Sequence, residues 1–271
     1  MVADPSRDLT VHFIDVGQGA ATLLQGPDFT ILIDAGRPDR DDVVPYLQVQ
    51  KVWDLDLLVG THPHADHIGQ MPRVLDSFPV HEVWMSGGEI TTRTFERALD
   101  AIEASEAGYH EPRAGETFTY GSAQVRVLRP ASISGHLNND SIVLQVRFGE
   151  VTFLFPGDAE GEGEAMLSQD LSVKSDVLQM GHHGSSTSSS VPLLNVVRPD
   201  YAVYSASADN PYGYPHEETL NNLAALGIRV LGTDVNGTVR VVTDGTTIRV
   251  ETERQGVSKP GRQRAPALEG G

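Results

Sequence analysis

After a polar start, Met1 to Asp8, the chain alternates apolar and polar positions from Leu9 to Val16. Ala20 to Gln25 and Phe29 to Ile33 are further apolar runs, set off by Gly17-Gln18-Gly19 and Gly26-Pro27-Asp28. Strand, turn, strand, turn, strand predicts an antiparallel meander. Residues 41–50 carry helical spacing despite Pro45, and Leu55 to Val59 reads as a buried strand. The pattern then predicts a helix over 71–78, a strand over 80–85, a helix over 91–107 with Phe95, Ala98, Leu99 and Ile102 on one face, and strands over 117–120 and 124–128.

The second half has the same grammar. Strands over 142–148 and 151–155 flank the turn Gly149-Glu150, a helix covers 160–168, and strands follow over 173–180 and 201–205. A helix over 217–226 closes on Gly227 as its C-cap, and short strands over 228–231, 237–242 and 246–250 end the pattern. The chain is polar from Glu251, so one domain over 1–253 with a disordered tail over 254–271 is expected. Two halves that each run from antiparallel strands into alternating strands and helices predict an α+β or α/β protein. The predicted architecture is two packed sheets with helices outside, a four-layer αβ/βα sandwich.

Chemistry concentrates where predicted strands end. Leu55 to Val59 runs into Thr61-His62-Pro63-His64-Ala65-Asp66-His67-Ile68-Gly69. Two imidazoles two residues apart share a side of an extended segment. With Asp66 and His67 beyond the turn, the loop can hold two metal ions, a recurring hydrolytic device with the ions about 3.5–4 Å apart. A histidine-rich surface loop or an affinity tag explains it less well, since a tag is terminal and monotonous. Asp34 and Asp158 also stand at strand exits beside glycine. Asp34 either closes a turn or orients a metal-bound histidine; the second reading is taken here. Gly181-His182-His183-Gly184-Ser185-Ser186-Thr187-Ser188 is a second cluster at a strand terminus. Its Ser/Thr run is either a solvated loop or a source of hydroxyls and a helix cap near an anion. His12 reads as a packed or edge residue, and His81 and His110 as structural or exposed.

Composition narrows the chemistry. The 271 residues carry a net charge of −17, which opposes non-specific duplex binding but not a local, cation-centred phosphate site. There is no cysteine, so metal ligands must be His, Asp, Glu or Asn. No signal-peptide pattern and no run long enough to span a bilayer are present; a soluble, cytoplasmic setting is expected over an extracellular one.

Asp34-Ala35-Gly36, His62-x-His64-x-Asp66-His67, Gly157-Asp158 and Gly181-His182-His183-Gly184-Ser185 occur in the order of the metallo-β-lactamase superfamily, which the chain resembles over roughly residues 9–250. Phe13-Ile14-Asp15-Val16-Gly17-Gln18-Gly19, Asn138-Asn139-Asp140-Ser141 and Asn210-Pro211-Tyr212-Gly213 look closer still to the C-terminal hydrolase domain of ComEC-type DNA-uptake proteins. The phosphorylcholine esterases are more distant relatives. The resemblance implies two divalent ions, Zn²⁺ or Mn²⁺. His62 and His64 would bind the first, Asp66, His67 and His182 the second, and Asp158 both. His183 would face substrate, with His216 on the opposite rim and Ser185 near the developing charge. Asn138 or Asn139 would replace the superfamily's usual third histidine, with His136 as an alternative. The branch usually has histidine where Tyr214 stands. The implied activity is hydrolysis of a phosphodiester by a hydroxide generated between the metals, with single-stranded DNA or a small phosphodiester as substrate. Hydrolysis of an ester, thioester or lactam is the second enzyme reading, and a non-catalytic binding protein of the same fold the third.

Overall fold

The computed structural model describes residues 7–256. Leu9–Phe13 (β1), Thr22–Gln25 (β2) and Thr30–Ile33 (β3) form the expected meander, with antiparallel registers such as Val11 opposite Leu24 and Leu24 opposite Ile31. Helix Val43–Val49 (α1) tolerates Pro45 because it lies in the first turn, where a missing N–H breaks no intrahelical bond. Leu55–Gly60 (β4) pairs in parallel with β3, then come Ala65–Ile68 (α2), Met71–Ser77 (α3), Val80–Met85 (β5), Arg93–Ala104 (α4) and Gly108–His110 (β6). The Thr92 hydroxyl caps α4 by accepting the Phe95 N–H. Phe95, Ala98 and Ile102 of α4 are buried, whereas Leu99, expected on the same face, is exposed.

Thr117–Tyr120 (β7), Ala123–Arg129 (β8), Val143–Phe148 (β9) and Val151–Phe155 (β10) are antiparallel neighbours. Glu162–Leu167 (α5), Val177–Gln179 (β11), Val191–Val197 (α6), Tyr201–Tyr204 (β12), Glu217–Ala225 (α7), Arg229–Gly232 (β13) and Thr233–Asn236 (α8) follow, with β10 to β13 parallel. The strand expected over 173–180 is shorter, because Asp170 caps a 3₁₀ turn at Leu171–Val173. Val239–Thr243 (β14) and Ile248–Thr252 (β15) return to the first sheet beside β1.

The result is an eight-stranded sheet, β15-β14-β1-β2-β3-β4-β5-β6, on a seven-stranded one, β13-β12-β11-β10-β9-β8-β7. Strand alternation decides the layers. Ile31, Ile33, Phe153 and Phe155 point into the core between the sheets. Leu32 packs under the helices of the first sheet and Leu154 under those of the second. Each buried Phe or Leu is worth roughly 1.5–3 kcal/mol, so this pattern specifies the four-layer arrangement. The expected tail begins with residues tied to the domain: the Arg254 guanidinium donates to Asp15, and the Gly256 carbonyl accepts from Asn236. Residues 257–271 lie outside the described residues. Among the described residues no helix is long and apolar enough to cross a membrane.

Candidate metal centre

The parallel strands β3, β4, β10 and β11 all end at one rim, and their exit loops carry the chemistry. In open α/β sheets such carboxyl ends are where ligands bind. Asp34 leaves β3 in the left-handed region at φ 61°. Fully buried, its carboxylate accepts the Thr61 N–H at 2.8 Å and the Thr61 hydroxyl at 2.9 Å, and meets His67 Nδ1 at 2.7 Å. A buried charge needs such partners. The His67 ring is thereby fixed with Nδ1–H on Asp34, and its Nε2 is buried without a hydrogen bond. His183 repeats the device: Nδ1 donates to the Ser205 carbonyl at 2.9 Å, and Nε2 is buried and unpartnered. An imidazole held through Nδ1 presents the Nε2 lone pair, as metal-binding histidines do.

Two groups converge. His62, His67 and Asp158 form one, Asp66, His67 and His183 the other, with the ligand atoms of each group within 4.8 Å of one another. His62 Nε2 lies 3.0 Å from His64 Nδ1 and 3.7 Å from Asp158 Oδ2. His67 Nε2 lies 3.3 Å from Asp158 Oδ1, and His183 Nε2 lies 3.4 Å from Asp66 Oδ2. Ligands about 2.0–2.2 Å from one ion stand roughly 3–4 Å apart, so these spacings fit. The donors are imidazoles and carboxylates, a set suited to divalent ions such as Zn²⁺ or Mn²⁺. Gly19 brings a second turn against the cluster. A Cβ there would lie 2.6 Å from the Asp66 carbonyl oxygen, and its φ of 148° disfavours any side chain. The Ala20 N–H donates to that same carbonyl.

The electrostatics are those of a cation site. Burial, then the charge of His67, holds His62 well below the usual imidazole range; burial also lowers His64. Burial opposes a proton on His67, but Asp158 and Asp34 outweigh it and raise His67 well above the usual value. Burial likewise opposes ionisation of Asp158, yet His67, His183 and His62 hold it far below the carboxylate range. A cation at either group would take the place of the proton that this field favours on His67 and on His183.

The metallo-β-lactamase superfamily model matches residues 14–208. The chain belongs to the metallo-β-lactamase superfamily. The expected likeness to ComEC-type proteins is also found. ComE operon protein 3 of Bacillus subtilis is 31% identical over 256 residues, covering 87% of this chain and 33% of that protein. Competence protein ComA of Neisseria gonorrhoeae is 31% identical over 246 residues, covering 88% of this chain and 33% of that protein. The chain thus spans about one third of the length of these curated relatives. The metallo hydrolase Igni18 of Ignicoccus hospitalis superposes with a TM-score of 0.58 at 15% identity over 85% of this chain and 98% of that one, a likeness of fold. The superfamily and the His/Asp groups together support a metal-dependent hydrolase.

Within this metallo-β-lactamase fold, the two neighbouring histidines, of which His182 is the one expected to bind the second metal, are held by different partners. His183, not His182, joins Asp66 and His67. Both residues are left-handed, at φ 46° for His182 and 55° for His183, so the chain reverses between the flanking glycines. The reversal sends His183 inward to Ser205 and leaves His182 partly exposed, with Nδ1 on Glu160 at 3.0 Å and Nε2 3.3 Å from the Tyr214 hydroxyl and 3.8 Å from Asp158 Oδ2. His216, expected on the opposite rim facing substrate, has both ring nitrogens engaged: Nδ1 accepts the Ser186 N–H, and Nε2 donates to the Tyr212 carbonyl. Ser185 is buried, and its hydroxyl is shared with that of Thr187.

The asparagines separate as well. Asn139 Oδ1 accepts the Glu160 N–H, whereas Asn138 Oδ1 is buried and unpartnered, its amide donating to Glu160. His136 is exposed on the turn whose carbonyl accepts the Asp140 N–H. Sequence reasoning missed Glu160 and the Thr61 hydroxyl. Glu160 stands two residues past Asp158, and Thr61 opens the histidine loop. Only their contacts mark them.

Proposed function

We propose that this domain is a binuclear metal-dependent phosphodiesterase or nuclease acting on single-stranded DNA or a small phosphodiester. The observation that carries the reading is Asp158, a buried carboxylate between the two groups of ligands. In it, His62, His64, Asn138 and Asp158 would hold a first ion, and Asp66, His67 and His183 with Asp158 a second. A DNA substrate is what the resemblance to DNA-uptake proteins implies, and a relative named as a competence protein is consistent with it. Two divalent cations, when bound, supply Lewis acidity that makes a water nucleophilic near neutral pH and neutralises charge on phosphoryl oxygens. The strongly acidic chain therefore needs this centre to attract a phosphate.

The residues divide the remaining work. Asp34 and the Ser205 carbonyl hold the His67 and His183 rings in place. Glu160 holds His182 through Nδ1, so that Nε2 is the atom able to pass a proton to a leaving oxygen. The Tyr214 hydroxyl, 3.3 Å from that nitrogen, keeps the ring at the cleft. Asp158→Ala should abolish turnover of bis(p-nitrophenyl) phosphate and of labelled single strands while the thermal transition persists. Full metal content with retained turnover in that variant rejects the assignment. Hydrolysis of nitrocefin or esters without phosphodiester cleavage would hand the site to the acyl-transfer reading.

A further inference from the structure

The loop between β12 and α7 builds an aromatic column whose outer ring, Tyr212, the hydrolytic roles leave unused. Tyr212 and Tyr214 stack with centroids 5.4 Å apart and planes 20° apart, and Tyr214 continues onto His183 at 6.2 Å and 26°. The inner end of the column is therefore a residue of the metal centre. The outer end is open: Tyr212 is 58% exposed. The column is held rather than floating. The Asn210 amide donates to the Ser207 and Tyr214 carbonyls, its oxygen accepts the Tyr214 N–H, and His216 Nε2 donates to the Tyr212 carbonyl. An exposed tyrosine normally carries rotamer freedom that binding must remove; here the supporting ring and loop have already removed much of it.

A cation leaves the turn beside the metal loop: Arg37 follows Gly36, whose N–H donates to the Ala20 carbonyl and whose carbonyl accepts the Gly69 N–H. The Arg37 guanidinium is clamped by Asp39 through two 2.8 Å bonds and is still 43% exposed. On a chain of net charge −17, a pre-oriented guanidinium at the rim of the metal centre is a specific feature rather than a share of a basic field.

We propose that Tyr212 is a stacking platform for a nucleobase one position along from the phosphate at the metal centre, and that Arg37 receives the adjoining phosphate. This deepens the phosphodiester reading and rests on it. Every base has a π-face, so such a platform favours single strands over duplexes without choosing a sequence, and it gives a repelling, acidic domain a way to hold a polyanion. Tyr212 reaches substrate away from the reacting atoms, so its contribution falls on affinity.

The test compares an oligo-dT strand with an abasic strand of equal length and equal charge, in Mn²⁺ and in Zn²⁺. Cleavage is followed on phosphodiester strands and binding on labelled phosphorothioate strands. The wild-type chain should prefer dT by about 5- to 150-fold in KM and Kd, the span of one base–aromatic stack. Tyr212→Ala should bring that ratio to about one with kcat changed less than about 2-fold, and Tyr212→Trp should keep the preference. Arg37→Ala should weaken both strands alike and lower the salt slope of binding by about one. An unchanged dT-to-abasic ratio in Tyr212→Ala overturns the platform, and unchanged binding of both strands by Arg37→Ala overturns the clamp. If the wild type binds dT preferentially but cleaves no strand, the platform stands and the phosphodiesterase reading fails. Cleavage without base preference has the opposite meaning.

Discussion

Asp34→Asn tests how the metal centre is held, because it changes charge and donor pattern while keeping shape. The carboxylate accepts from the Thr61 N–H, the Thr61 hydroxyl and His67 Nδ1 within 2.7 to 2.9 Å, and no solvent reaches it. An amide oxygen can still take the Thr61 N–H. Its nitrogen then faces His67 Nδ1, which must carry its proton if Nε2 is to bind a cation. Two donors cannot share that contact, so the variant loses one charge-assisted bond, about 1.5–3 kcal/mol. Felt in the metal-bound state, that is roughly 10- to 150-fold in affinity, in line with the 10- to 100-fold typical for groups that orient a metal-bound histidine. Competition titration against a chelator, with Zn²⁺ and Mn²⁺ separately, measures it. A thermal unfolding scan of the metal-free variant separates lost affinity from lost fold. Unchanged affinity for both ions in a folded Asp34→Asn chain would refute the claim that Asp34 acts through His67.

Three further outcomes follow from the same geometry. Gly19→Ala should push the Asp66 carbonyl and weaken occupancy of the second site before the first, so metal analysis at limiting Mn²⁺ should fall below that of the wild type; equal occupancy would mean the turn yields freely. Metal binding should release protons near pH 7, since Asp158 and Asp34 keep a proton on His67 that a cation must replace, and affinity should fall with pH; calorimetry in buffers of different ionisation heat reads the release, and none detected would contradict the His67 assignment. His12, buried beside Tyr46 and lowered to about 4 first by burial and then by Arg240, takes up a proton later than the unfolded chain does. Its contribution is full above about pH 6.5 and lost as pH falls through 4, up to about 3 kcal/mol. Urea unfolding at pH 7 and 4.5 should lose less stability in His12→Leu than in the wild type, and equal losses would remove His12 from the account.

The sequence by itself determined the layers and the ligand inventory. Strand alternation in Leu57 to Val59 and Phe153 to Phe155 is a local code for which side chain faces the core, and local codes survive in one dimension. The clusters at strand exits were legible because His, Asp and Gly crowd there against the apolar grain of the strands. Thr61, Glu160 and the choice of Asn138 over Asn139 were not legible, because each is defined by a partner distant in the chain or by the lack of one. Adjacent histidines are equivalent in sequence until backbone dihedrals separate them. Only the tertiary structure, by setting His182 and His183 in the left-handed region between Glu160 and the Ser205 carbonyl, decided which one turns toward Asp66 and which one stays partly exposed on Glu160.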